Sequence, residues 1–206
     1  MTQIVLPLAP ATSGPSRIVI GPANAHVAEA LAHPENWPFR TAVLTGPPRS
    51  GKSLLARWFA GSRPLDDGRD VIDDAHTLEE TELFHRWNRA QEQGTPLLIV
   101  AGQPPWDIAL PDLRSRLGAA LQLEIGAPDD AMAEDLLYAH AEQRGLPLGA
   151  EAADYLMPRA GRSWDDLEKL VAAIDRLSLE RKVPATQSIW RAALEAVHGP
   201  DEPRLL

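Results

Sequence analysis

The segment "GPPRSGKS" at residues 46–53 constrains this chain more than any other feature, because it fits G-x-x-x-x-G-K-[ST] at every fixed position. Gly46 and Gly51 let the backbone curl through Pro47 and Pro48, which carry no N–H, so that the N–H groups of the loop from Arg49 and Ser50 onward point inward as a nest for an anion at a helix N-terminus. Lys52 carries a point charge to the β- and γ-phosphates, and the Ser53 hydroxyl is placed for Mg²⁺. The flanks agree: the apolar "TAVLTG" (41–46) reads as a strand, and the run from Leu54, "LLARWFA", continues as a helix. A chance glycine turn would lack both. Residues 46–54 are therefore the candidate nucleotide-binding segment.

Such a loop needs a second, acidic strand end to orient metal and water. "VIDDAH" (71–76) supplies one, with Asp73 for the metal and Asp74 to polarise an attacking water. A solvated or helix-capping acidic pair would read alike, and its apolar lead is only Val71 and Ile72. Residues 54–72 hold one helix, a turn and a short strand. No further strand and helix fit between, so a pared-down sheet is expected.

The rest of the chain sorts by period. "RIVIG" (17–21) is a short apolar segment, and "ANAHVAEALAH" (23–33) has helical spacing. "TLEETELFHRWNRAQEQG" (77–94) is an amphipathic helix closed by glycine. "PLLIVAG" (96–102) has the unbroken apolar run of a central parallel strand. A short helix (110–120) and a last strand (121–125) follow. Beyond Pro128 only helices are expected, at 129–144, 149–159, 163–181 and 185–197. This order predicts a parallel α/β domain over 17–127 and an all-helical domain over 128–198. Residues 1–16 and 199–206 are expected to be a flexible and a disordered tail.

Charge and cysteine content narrow the partners. A net charge of −9 disfavours strong intrinsic binding to phosphate backbones and favours protein partners. Cysteine is absent, which excludes disulfides and thiolate metal sites. No secretory leader and no membrane-length apolar run is visible, so a cytoplasmic protein without a membrane partner is expected. The six histidines show no zinc spacing, and the six tryptophans read as core or protein-interface residues, since no basic residues interleave with them. "QIVLPL" (3–8) is four apolar residues and a proline ahead of any core element. It reads as a ligand for another protein, an edge strand or an idle tail.

Taken in order, "IGPAN" (20–24), the phosphate loop, "VIDDAH", "LLIVAGQPP" (97–105), "LPDLRSRL" (110–117) and the helical region resemble the AAA+ domain of the replication initiator DnaA. They are most similar to the Hda-like, DnaA-related proteins that inactivate the initiator. The resemblance covers residues 17–197. It implies an AAA+ P-loop NTPase fold with a helical lid, binding ADP or ATP with Mg²⁺. It also implies that Gln3, Leu6, Pro7 and Leu8 bind the β sliding clamp of DNA polymerase III. Arg116 matches the family's arginine finger, which would act in trans on ATP held by DnaA, with Arg114 as a supporting neighbour. Departures matter too. Gln103 lies where the family places a polar sensor and lacks a carboxylate, and Asp165 lies where it places a second sensor arginine, with Arg162 as a candidate substitute. Binding without turnover is therefore expected, and the chain's end at 206 implies no sequence-specific DNA binding through a further domain. The rival readings are an autonomous small AAA+ ATPase working as a homo-oligomer, and a non-enzymatic clamp adaptor.

Overall fold

Leu97–Val100 are almost wholly buried, and this places them at the centre of a sheet covered on both faces. The computed structural model describes residues 6–7, 17–61 and 68–199. The chain divides into two units, the first ending at Gly126 and the second beginning at Ala127.

The first unit contains β1 (Leu6–Pro7), β2 (Arg17–Ile18), α1 (Ala25–Ala32), β3 (Thr41–Thr45), α2 (Lys52–Gly61), β4 (Asp70–Ile72), α3 (Glu80–Gln93), β5 (Leu97–Val100), α4 (Pro111–Ala119) and β6 (Leu121–Glu124). Four strands form a parallel sheet in the order β4-β5-β3-β6, the pared-down sheet expected. On one side of it, Leu83, Trp87, Leu113 and Leu117 pack against Val43, Ile72, Leu97 and Ile99. The edge of short β4 is blunted rather than left open: Arg86 donates to Val71 O at 3.2 Å and pairs with Asp70 at 2.8 Å.

Leu6–Pro7 is a difference from expectation. It pairs antiparallel with Arg17–Ile18, so the segment 1–16 is not structureless throughout. Two backbone residues satisfied by an edge partner suffice, and proline is tolerated on an edge. The remainder of 1–16, with Gln3 and Leu8, lies outside the described residues, as does 200–206.

The second unit holds four helices, α5 (Asp130–Gln143), α6 (Ala150–Leu156), α7 (Trp164–Arg181) and α8 (Gln187–His198). Asp129 and Ser163 cap α5 and α7, accepting from Met132 N at 2.8 Å and Asp166 N at 3.1 Å. Leu137, Leu156, Leu170, Val171, Ile174 and Ile189 form its core. Trp190 packs against that core, consistent with a packing rather than base-stacking role for this tryptophan.

Candidate functional site

The register of the parallel sheet gathers the site. Leu44 pairs with Val100 and with Leu123, and Ile72 pairs with Ile99, so these strands end together. The phosphate loop after β3, Asp73–Asp74 after β4, Gly102–Gln103 after β5 and Ile125 after β6 thus share the carboxyl edge of the sheet. That is where open α/β sheets bind ligands.

Within the loop, Gly46 has φ +152° and lies hard against the residue that follows β6, where an added Cβ would stand 2.9 Å from Ile125 Cβ. Gly51 has φ +84°, and a Cβ there would project into open space. One glycine is needed for close packing behind the loop, the other for its curvature. Arg49 also has positive φ, +63°. Lys52 begins α2 and its ammonium donates to Gly46 O and Pro47 O, both at 2.8 Å, folding over the loop. Burial lowers its pKa below the usual lysine range, while the Asp73 and Asp74 carboxylates act to raise it. The sequence-predicted lysine and acidic pair are therefore within electrostatic reach of one another. Asp74 sits in the left-handed region at φ +51°, and its N–H donates to Asp73 Oδ1 at 3.1 Å. The turn behind it is held by Thr77 Oγ1, donating to Asp74 O at 2.8 Å.

These residues fit a nucleotide phosphate group. Ser50 is almost fully buried, yet its hydroxyl has no hydrogen-bond partner, and a desolvated cation stands beside a loop whose glycine faces open space. The donor set also suits Mg²⁺, which keeps waters and phosphate oxygens and needs only one or two protein oxygens, here Ser53 and Asp73. Among the described residues, no group of three or more His, Asp or Glu could hold a metal alone.

The wall beside the loop was not read from the sequence. Asn24, buried among apolar neighbours, accepts from Gly21 N at 2.9 Å and donates to Val19 O at 3.0 Å. Gly126 N donates to Ala23 O at 3.0 Å, tying this bracket to the end of β6. The signal was present in "IGPAN", an asparagine just ahead of an apolar helix, but only its partners show the role.

Arg116 stands on α4, half-buried, and its position is set by α3. Its guanidinium lies 4.6 Å from the Phe84 ring centroid and 4.5 Å from that of Trp87, and Nη1 donates to Asn88 Oδ1. Cation–π contacts use the face of the guanidinium and leave its edge donors to other groups. Arg114 donates through Nε to Ile108 O at 2.7 Å, a local structural role. Gln103 is exposed after β5. In the second unit, Asp165 pairs with Lys169 one turn on, and Arg162 pairs with Asp130. The substitute arginine is thus engaged within its own helical unit.

A parallel sheet with a phosphate loop at its carboxyl edge, followed by a four-helix unit, defines an AAA+ P-loop protein. Domain III of the Thermotoga maritima replication initiation protein DnaA superposes with TM-score 0.73, 16% identity and coverage of 89% of this chain and 95% of that one. The Thermotoga maritima RuvB Holliday junction branch migration motor superposes with TM-score 0.61 and 20% identity, covering 89% and 73%. Residues 130–187 match the family described as Hda, lid domain. The chromosomal replication initiator protein DnaA of Thermus thermophilus is 30% identical over 141 residues, covering 67% of this chain and 32% of that protein. An uncharacterized Haemophilus influenzae protein is 33% identical over 119 residues, covering 56% and 51%. The chain is an Hda-like AAA+ protein related to DnaA, and it spans about a third of the length of the DnaA proteins it matches. Among the described residues no helix is long and apolar enough to cross a membrane.

Proposed function

We propose that this chain binds an adenine nucleotide with Mg²⁺ in its phosphate loop and promotes hydrolysis of ATP held by a DnaA partner, using Arg116 in trans. Gln3–Leu8 serves as the peptide that docks on the β sliding clamp and concentrates the protein near DNA. The observation that carries the reading is Arg116, a half-exposed guanidinium seated on two aromatic rings with edge donors left for a phosphate. Two DnaA structures with similar folds support the nucleotide, since both contain AMPPCP (TM-scores 0.62 and 0.60).

Each residue has a defined task. The loop N–H groups and the Lys52 ammonium bind phosphate oxygens. Ser53 and Asp73 would hold the metal, and Asp74 would accept from an attacking water. Bound Mg²⁺ would supply positive charge that neutralises the phosphates. Arg116 places positive charge beside the partner's γ-phosphate as its bond to the leaving oxygen weakens. Turnover of the chain's own nucleotide is not favoured, because Gln103 offers no carboxylate to orient an attacking water.

The test is a reconstituted reaction with labelled ATP on DnaA and clamp loaded on DNA. Adding this protein is expected to accelerate ATP loss, and Arg116→Ala to lower that acceleration about 10³-fold. Full acceleration by Arg116→Ala removes the reading. A steady-state ATPase assay without DnaA, showing rapid turnover, would favour the autonomous ATPase.

A further inference from the structure

Helix α4 is fastened to α3 at both ends, and at its start the fastening adds hydrogen bonds to the packing of Ile108 and Leu110. The Glu80 carboxylate accepts from Ala109 N at 2.7 Å through one oxygen and from Leu110 N at 2.6 Å through the other. Leu110 is the N-cap of α4, whose own side chain makes no cap. A carboxylate from a different helix therefore satisfies donors at the positive end of α4, a favourable charge-assisted arrangement. Arg114 closes the same corner from behind by donating to Ile108 O. At the far end the Arg116 guanidinium lies on Phe84 and Trp87 and donates to Asn88. Residues 80, 84, 87 and 88 follow the i, i+4, i+7, i+8 spacing of one helix face, so a single face of α3 holds both ends of α4.

Geometry decides what this fastening does. Arg116 lies six residues beyond Leu110, about 9 Å along the axis. If the start of α4 turns or slides by one residue, Arg116 moves by about 100° around the helix and leaves its seat. Leu113 and Leu117 anchor the helix in the core, but apolar contacts are non-directional and tolerate small rotations. Two hydrogen bonds to consecutive backbone N–H groups do not.

We infer that Glu80 is a positioning residue for Arg116, fixing the register of α4 on α3 so that the guanidinium is presented in one orientation. This rests on the trans role of Arg116 given above. Glu80 touches neither nucleotide nor partner in this scheme; it acts through α4.

The experiment uses the full chain in the reconstituted DnaA reaction with Glu80→Ala, Glu80→Gln and Arg116→Ala side by side. Two further measurements are the protein concentration giving half-maximal stimulation, and amide hydrogen exchange at Ala109 and Leu110. Glu80→Ala is expected to expose both amides to exchange and to lower the maximal stimulated rate about 10- to 100-fold, with the half-maximal concentration unchanged. Glu80→Gln, which keeps one acceptor oxygen, is expected to fall between. If Glu80→Ala does not fold, Glu80→Gln carries the test. Loss at the half-maximal concentration instead of the maximal rate would make Glu80 a docking residue and overturn the inference. Unchanged stimulation by both Glu80 variants, with Arg116→Ala inactive, also overturns it while leaving the Arg116 reading standing. Full stimulation by Arg116→Ala removes both.

Discussion

The α/β unit and the helical unit are built on different terms. Strained backbone gathers in the first: Phe39, Arg40, Arg49 and Asp74 all have positive φ without being glycine. The described helical unit has one such residue, Lys182, at the end of α7. Among the described residues, buried side-chain donors lacking a partner occur in both units, Ser50 Oγ in the phosphate loop and Trp87 Nε1 in the first and Trp190 Nε1 in the second, so the contrast rests on the backbone. The helical unit has an apolar core and exposed ion pairs, Arg176–Glu180 and Arg191–Glu195 among them. Strained backbone persists where the surroundings over-determine it, and in the first unit it includes two residues of the candidate site, Arg49 and Asp74.

This contrast can be broken at several sites. The largest expected effect is in the helical core. Leu170→Ala, at a fully buried position, should destabilise that unit by about 2–5 kcal/mol in thermal or denaturant unfolding, with ADP affinity read in parallel. A loss below about 1 kcal/mol would mean the core there is loosely packed. Next, Gly51→Ala meets no neighbour, so its cost is backbone strain of about 1–3 kcal/mol, while its methyl enters the cradle. Fluorescent ADP binding should be lost with the fold retained; retained binding would show that the cradle is not where phosphate sits.

The pH dependence is subtler. Burial lowers the Lys52 pKa, so its folded-state proton leaves at a pH below the ordinary lysine range. The folded state disfavours this charge, and Lys52 therefore costs stability at neutral pH, a cost relieved as pH rises through the folded pKa toward 10.5. Nucleotide binding runs oppositely. Affinity for ADP should fall on the alkaline side earlier than for an exposed lysine, and Lys52→Arg should remove that limb. The smallest effect belongs to the surface: Lys169→Ala, losing the i,i+4 pair with Asp165, should change unfolding by about 0.3–0.5 kcal/mol. A larger change would give that pair a role beyond the surface.

Much of this was legible along the chain. The four sheet strands, their intervening helices and the four helices after Gly126 follow from apolar periods and glycine–proline punctuation, which act over a few residues. The phosphate loop was legible because its spacing is local. Glu80 was not, since it reads as an ordinary acidic residue in a helical first turn and its partners lie 29 and 30 residues away. Asn88 is equally silent, with Arg116 at a separation of 28. The pairing of Leu6–Pro7 with Arg17–Ile18 was legible only as one alternative, because two residues carry no period.

By itself the sequence determined the element order, the glycines at 46 and 51, and the lysine and acidic pair that a phosphate loop needs. Those depend on local stereochemistry, which each residue type carries with it. Only the tertiary structure decided that one face of α3 holds both ends of α4 and that burial loosens the proton on Lys52. Hydrogen-bond partners and desolvation arise when distant segments exclude water together, and no single stretch of chain encodes that.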